Sequence, residues 1–409
     1  MPHLALCGGP KLLDMAWPRW PVWGDEERQA LSAVLESGDW WYGAQVRAFE
    51  ERFAAFQGAR YGVTCSSGTT GLEAALLALG VGAGDEVIVP PYTFIATASA
   101  VLRVGALPIF ADIEPDTLCL DPDDVARKIT PRTRCVIPVH LAGRIANMDR
   151  LGDVADAQGL AILEDACHAW GSAWRGKGAG TLGRAGVFSF QASKNITSGE
   201  GGIIVTDDED LAECCRSYTN CGRVRGGAWY EHQLPGSNLR LTEFQAAILL
   251  AQLARLEEQT LQRQANARLL DEGLAKVPGV VTLRPEPRMT RRSYHLYPFR
   301  LDLEYLGISR ERFVQALEAE GVPASAGYSV PLYQHPLFAG QGGSAEARTP
   351  SWRRHRPDVD YGQVSCPVCE RVCEDTCWLP QWALLASAEA MEGIVAAVAK
   401  VVAHAAELR

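Results

Sequence analysis

Lys194 ends the run Phe188-Ser189-Phe190-Gln191-Ala192-Ser193-Lys194 and precedes Asn195-Ile196-Thr197-Ser198-Gly199-Glu200-Gly201-Gly202, a glycine-rich turn that enters a strand. Flexible backbone there lets a bound molecule approach the chain closely. A lysine enclosed in such a place has its ammonium form disfavoured by desolvation, which frees the amine to form a Schiff base and to move protons. Upstream, Glu164-Asp165-Ala166-Cys167-His168 follows the apolar run Ala161-Ile162-Leu163. A carboxylate at a strand end can hold a proton on a pyridine-like nitrogen and turn that ring into an electron sink. A third stretch, Ser66-Ser67-Gly68-Thr69-Thr70-Gly71-Leu72-Glu73, follows a strand and opens an apolar-periodic helix. Its backbone N–H groups and hydroxyls suit a phosphate at a helix N-terminus. Each stretch also has a plainer reading: a solvated lysine beside a turn, a capping aspartate with a packing histidine, an ordinary Ser/Thr cap. Their occurrence together in one chain is what favours chemistry.

These residues need a scaffold that gathers strand ends. From Asp25 to Glu258, short β-branched runs alternate with helical patterns and glycine-bearing turns, which predicts strand-helix-strand units and a parallel sheet. The expected buried strands are Gly62–Cys65, Glu86–Val89, Leu107–Phe110, Cys135–Val139, Ala161–Leu163 and Gly202–Thr206. In open α/β sheets ligands bind beyond the carboxyl ends of the strands, so the three stretches belong to one site. A long helical pattern from Thr242 to Leu274 leads into a smaller C-terminal domain. That domain is expected to hold a strand at Tyr294–Leu301, helices at Arg310–Glu320 and Glu389–Glu407, and a Gly/Ser-rich loop at Gly340–Pro350. The expected division is residues 1–24 as an N-terminal arm, 25–258 as the large domain and 259–409 as the small one.

The 409 residues are 47% hydrophobic, enough to bury a large core, and carry a formal charge of −10. No basic tail or stripe is present to neutralise a phosphate backbone, so nucleic acid is not an expected partner. Met1 to Pro21 holds His3, Lys11, Asp14 and several prolines and lacks the apolar core of a signal peptide or a membrane span. A cytoplasmic protein with no membrane partner is expected, and its twelve cysteines are read as reduced thiols.

The chain resembles the DegT/DnrJ/EryC1/StrS sugar aminotransferases along nearly its whole length. The matching pieces are Phe49-Glu50-Glu51-Arg52-Phe53-Ala54, Ser67-Gly68-Thr69, Gly82 to Pro90, Tyr92-Thr93-Phe94-Ile95-Ala96-Thr97, Glu164-Asp165, Ser193-Lys194, Gly199-Glu200-Gly201-Gly202 and Asn238-Leu239-Arg240-Leu241-Thr242-Glu243. The resemblance implies an α/β fold of the aspartate aminotransferase type, with a mainly parallel seven-stranded sheet and a smaller α+β C-terminal domain. It implies pyridoxal 5′-phosphate (PLP) as cofactor, with Lys194 as the catalytic Schiff-base lysine that shuttles the proton. It further implies Asp165 at the pyridine nitrogen, Phe94 stacked on the ring and His168 near the phenolic oxygen. The phosphate would lie on Gly68, Thr69 and Ser189, with Asn238 contributed across a homodimer interface and Arg240 nearby.

Relatives that dehydrate sugars carry histidine where this chain has Lys194, so transamination is favoured, with glutamate or glutamine as donor. A narrower likeness to the glutamine-dependent cyclitol aminotransferases rests on Pro115-Asp116-Thr117-Leu118-Cys119-Leu120, Thr197-Ser198-Gly199-Glu200, Cys366-Pro367-Val368 and Trp378-Leu379-Pro380. It supports a keto-cyclitol acceptor as much as a keto-sugar. Two departures bear on the acceptor pocket: Ala142, followed by Gly143-Arg144, stands where the family has an aromatic, and Leu332-Tyr333 where it has Leu-His. Cys366, Cys369, Cys373 and Cys377 have a density that would suit a metal if all four converged, but buried apolar cysteines are the simpler expectation and no metal is assigned. Trp17, Trp20, Trp23, Trp40 and Trp41 read as an interface-packing group in the N-terminal arm, able to line a dimer site. The alternatives are a non-catalytic regulator of the same fold and a dehydrating or aromatising enzyme.

Overall fold

A computed structural model describes residues 3–339 and 359–409. The expected loop Gly340–Pro350 lies outside the described residues. The first half of the chain supplies nine strands: β1 (Tyr61–Cys65), β2 (Glu86–Val89), β3 (Leu107–Phe110), β4 (Thr133–Val136), β5 (Ala161–Asp165), β6 (Ala173–Trp174), β7 (Lys177–Gly178), β8 (Ala185–Ser189) and β9 (Gly202–Thr206). Seven of them form one sheet in the order β1-β9-β8-β5-β4-β2-β3. Pairing from β8 through β5, β4 and β2 to β3 is parallel, whereas β9 runs antiparallel to both β8 and β1. Every strand but β9 therefore points the same way. Strands β2, β8 and β9 are buried along their full length, which explains why β2 and β9 show no apolar–polar alternation.

Several elements differ from expectation: the strand expected at Tyr294–Leu301 begins at Leu296, and the helix expected at Glu389–Glu407 ends at Ala403. β4 stops at Val136, short of Val139, because Pro138 has no N–H for a ladder; Val139 makes only a bridge to Asp165. β8 was not expected as a strand, since Gly186 and Ser189 dilute its apolar signal.

The second half builds β10 (Val280–Thr282), β11 (Met289–Arg291), β12 (Leu296–Leu301), β13 (Ser325–Ala326) and β14 (Thr376–Pro380). Four of these form an antiparallel sheet, β10-β12-β14-β13, while β11 joins β6 and β7. The helix Glu243–Leu274 is the shared beam. Thr242 caps it, accepting from Gln245 N while the Gln245 side chain reaches back. Its Leu249 and Leu256 enter one apolar core with Phe49, Phe53, Val187 and Phe188. Its Ala267, Leu270 and Leu274 enter a second core with Phe299, Leu317 and Ile394.

The N-terminal segment folds back on its own chain. Leu4 is buried in the second core, Trp17 Nε1 donates to the Gly321 carbonyl at 2.9 Å, and Trp20 Nε1 to the Ala192 carbonyl at 3.0 Å. All twelve cysteines are free. Cys369 and Cys373 Sγ stand 4.0 Å apart, but Cys366, Cys369 and Cys373 belong to the first core and Cys377 to the second. Among the described residues, the one group of three potential ligands gathered within 4.8 Å is His3, His404 and Glu407, so the four thiols do not converge. No described helix is long and apolar enough to cross a membrane.

Candidate active site

The carboxyl ends of β1, β5 and β8 and the start of the antiparallel β9 meet at one edge of the sheet, and a cavity of about 520 Å³ opens there. Gly68, Thr69, Phe94, Asp165, His168, Ser189 and Lys194 all line it. A volume of that order takes a small cofactor together with a substrate.

Asp165 is the last residue of β5, buried to 5% exposure. Thr97 Oγ1 donates to its Oδ2 at 2.7 Å, and Cys167 N to its Oδ1 at 3.2 Å. A carboxylate has about four acceptor positions, so two donors fix its plane and leave capacity towards the cavity. The adjacent Glu164 points the other way. It is fully buried and accepts from His140 Nε2 at 2.7 Å and from the N–H groups of Gly180, Leu182 and Gly183 at 2.7, 2.6 and 2.6 Å. One carboxylate of the pair thus braces a loop while its neighbour faces the site.

Lys194 follows a turn closed by its own N–H to the Gln191 carbonyl at 2.9 Å. Its Nζ lies 5.9 Å from the Trp170 ring centroid. Burial lowers the Lys194 pKa below the usual lysine value, and the acidic neighbours Cys167 and Asp165 offset only part of that effect. The amine is accordingly easier to obtain unprotonated than on a surface lysine. His168 lies well below the ordinary imidazole pKa, first through burial and then through Lys194. Its Nδ1 accepts from Ala142 N at 3.4 Å, leaving Nε2 to carry the proton. Ala142 adopts a left-handed φ of 56°, unusual for a residue with a Cβ.

The helix Gly68–Ala78 starts at the cavity, capped by Ser67, whose Oγ accepts from Thr70 N at 3.1 Å. The first-turn N–H groups of a helix have no intrahelical partner, and the dipole there favours an anion. Gly68 is required by contact: a Cβ would stand 2.7 Å from Cys167 Sγ and 3.0 Å from Ser189 Cβ. Phe94, 58% exposed, forms part of the cavity wall on the turn after β2.

Asn238 and Arg240 do not line this cavity. Asn238 pairs through its backbone with Asn220 at the surface, and Arg240 Nη1 donates to Asn220 Oδ1 at 2.8 Å while its guanidinium covers Trp41. Leu239 between them accepts from Ser66 N at 2.6 Å. Neither Ala142 nor Tyr333 touches the cavity; Ala142 acts on it through His168, and Tyr333 is bound to Glu370 at 2.5 Å in the core. Thr97, in the Tyr92–Thr97 stretch, orients Asp165, a role that its local sequence does not signal. His295 and Tyr328, which also line the cavity, carry no local sequence signal because they arrive from the segment just before β12 and from the loop after β13, more than 100 residues from Lys194.

The DegT/DnrJ/EryC1/StrS aminotransferase family matches residues 21–399. The L-glutamine:2-deoxy-scyllo-inosose aminotransferase of Streptomyces fradiae is 42% identical over 426 residues, covering 99% of both chains. The crystal structure of 3-amino-5-hydroxybenzoic acid synthase superposes with a TM-score of 0.85 at 37% identity, covering 95% of this chain and 99% of that one. NtdA from Bacillus subtilis, solved with bound cofactor PMP, gives a TM-score of 0.80 at 27% identity over 95% of this chain and 87% of that one.

Proposed function

Since the chain belongs to the DegT/DnrJ/EryC1/StrS aminotransferase family, we propose that it is a PLP-dependent aminotransferase moving an amino group from glutamine or glutamate to a keto-cyclitol or related keto-sugar. The observation that carries this reading is the enclosed Lys194 amine sharing one cavity with the braced Asp165 carboxylate and an open helix N-terminus. That donor set fits PLP: the partially positive end of a helix for phosphate, a carboxylate for the pyridine nitrogen and an amine whose pKa burial lowers for the aldehyde.

PLP supplies an electron sink that stabilises negative charge on the substrate carbon. Gly68, Thr69 and Ser189 would hold the phosphate, with no side chain at 68 to block it. Asp165, oriented by Thr97, would keep a proton on the pyridine nitrogen. Phe94 would cover the ring, and His168, with Nδ1 occupied by Ala142 N, would have its Nε2 proton to offer the phenolic oxygen. Lys194 takes the proton from the donor's α-carbon and, in the second half-reaction, delivers one to the acceptor carbon that receives nitrogen. The buried groups of the cavity wall, Asp165 and His168 among them, would limit the access of water to that transfer.

Asn238 and Arg240 do not line their own chain's cavity, which supports their contribution to a second copy's phosphate site in a homodimer. Residues 25–258 would then form the cofactor domain and 259–409 the small domain, with 1–24 an arm, in a cytoplasmic enzyme. The acceptor class is supported by the similarity to the 2-deoxy-scyllo-inosose aminotransferase. The likeness to 3-amino-5-hydroxybenzoic acid synthase favours a second reading, an aromatising reaction on an amino-substituted ring. Product mass separates the two: amination of an inosose exchanges oxygen for NH, whereas dehydration removes water. A glutamine-dependent aminated cyclitol is the expected product; loss of water without nitrogen gain would reject the transaminase reading.

A further inference from the structure

Two histidine rings share the cavity wall: His168 and His295, with centroids 4.3 Å apart and planes tilted by 41°. Both are buried, and burial followed by neighbouring positive charge holds each well below the usual imidazole pKa, so both are neutral at physiological pH. A neutral imidazole has one N–H and one lone pair, and its neighbours decide which nitrogen has which.

For His295 the assignment follows from Asn195. Asn195 Nδ2 donates to the Ser293 carbonyl at 2.9 Å, which fixes the amide's orientation. Its Oδ1 then faces His295 Nδ1 at 3.1 Å. An amide oxygen only accepts, so Nδ1 carries the proton and Nε2 is a bare lone pair. His168 is the reverse, with its lone pair on Nδ1 taken by Ala142 N. His295 Nε2 makes no hydrogen bond among the described residues, and the ring lines the cavity. His295 and Lys194 both pack on Trp170, His295 at 5.5 Å between ring centroids and Lys194 Nζ at 5.9 Å. Lys194 is also near enough to His295 to help hold its imidazole pKa down, so the ring and the amine share one part of the cavity.

We propose that His295 Nε2 accepts a hydrogen bond from a hydroxyl of the keto acceptor, on the ring carbon next to the one that receives the amino group, making His295 a specificity-determining residue for hydroxylated ketone rings. This rests on the keto-cyclitol reading above. A ring whose reacting carbon lies at the Lys194 amine brings its adjacent substituent to the lone pair, and a hydroxyl is the substituent that can donate to it. The donor amino acid has no such group there: its reacting carbon is flanked by a carboxylate and a methylene, neither of which donates a hydrogen bond.

The two half-reactions separate this role from a structural one. The PLP-loaded full chain is compared with His295→Phe and with His295→Gln, whose amide oxygen can return an acceptor near the Nε2 position. Single turnovers are followed with L-glutamine on the PLP form and with scyllo-inosose on the PMP form. His295→Phe is expected to weaken kcat/KM of the acceptor half-reaction by roughly 5- to 150-fold, mainly through KM, the range for leaving one buried polar group unpartnered. The donor half-reaction should slow far less, and His295→Gln should recover part of the loss. Equal slowing of both half-reactions, or of neither, overturns the inference and leaves the aminotransferase reading intact. If the unaltered protein reacts with glutamine yet turns over neither scyllo-inosose nor 2-deoxy-scyllo-inosose, the keto-cyclitol reading fails and takes the inference with it. Nitrogen-15 spectra of histidine-labelled protein read the tautomer without turnover: protonated Nδ1 and bare Nε2 at His295 are expected, and a protonated Nε2 overturns the proposal.

Discussion

Replacing Gly68 by alanine tests whether the start of the helix Gly68–Ala78 is the phosphate cradle. The added Cβ would meet Cys167 Sγ at 2.7 Å and Ser189 Cβ at 3.0 Å. Comfortable contacts between such atoms lie near about 3.5–4.0 Å, so the helix start must retreat by up to roughly an ångström. Overpacking of this kind costs about 1–3 kcal/mol. The retreat withdraws the first-turn N–H groups from the anion they should hold, so the cost should surface in cofactor affinity as a roughly 5- to 150-fold rise in the PLP dissociation constant. The shorter contact is with a sulfur, and Cys167→Ala removes it. The double variant Gly68→Ala/Cys167→Ala should therefore bind PLP more tightly than Gly68→Ala alone, with a coupling of about 0.5–3 kcal/mol. The assay is titration of apo-protein with PLP by absorbance, alongside thermal unfolding of each apo-protein to separate a local effect from general destabilisation. Unchanged PLP affinity in Gly68→Ala, or a double variant no better than the single one, would refute the reasoning.

Three further outcomes are expected. Thr97→Val removes a 2.7 Å hydrogen bond to a buried carboxylate, a loss of about 1.5–3 kcal/mol for a charged acceptor; kcat should fall roughly ten-fold or more while Thr97→Ser stays near the original, as steady-state kinetics of the pair would show. Lys194 has a pKa lowered by burial, so the unfolded chain binds more protons than the folded one between the folded pKa and about 10.4. Stability of the apo-protein should therefore rise with pH across that window, and Lys194→Met should melt higher than the original at low pH, with the gap closing as pH approaches about 10.4; melting temperatures against pH check the sign. Finally, if Asn238 serves a neighbour's site, mixing inactive Lys194→Ala with impaired Asn238→Ala protein should regain activity through hybrid dimers that hold one intact site, whereas activity no higher than that of Asn238→Ala alone would exclude a shared site.

The strands that place the site were legible because burial on both faces leaves an unbroken apolar signature, as in Glu86–Val89 and Gly202–Thr206. Asp165, His168 and Lys194 were legible because each follows or precedes such a strand within a few residues, so local spacing predicts the side of the sheet they reach. Thr97 was harder: its hydroxyl matters only through a carboxylate 68 residues away. His295 and Tyr328 belong to the second half of the chain, and nothing local to Ser293–Leu296 or Gly327–Tyr328 announces a cavity formed by packing against β5 and β8. The early end of β4 was in principle readable from Pro138, since a residue without an N–H cannot extend a ladder. The cysteine run shows the opposite hazard, a suggestive spacing that the fold divides between two cores.

The central claim, that Lys194 carries an amino-transfer site with PLP, is tested most directly by the absorbance of the PLP-reconstituted protein before and after L-glutamine, with Lys194→Ala as control. A visible Schiff-base band that glutamine bleaches in the unaltered protein, and that Lys194→Ala neither forms nor loses in this way, is the predicted result. A spectrum indifferent to glutamine and glutamate with Lys194 intact would contradict the account.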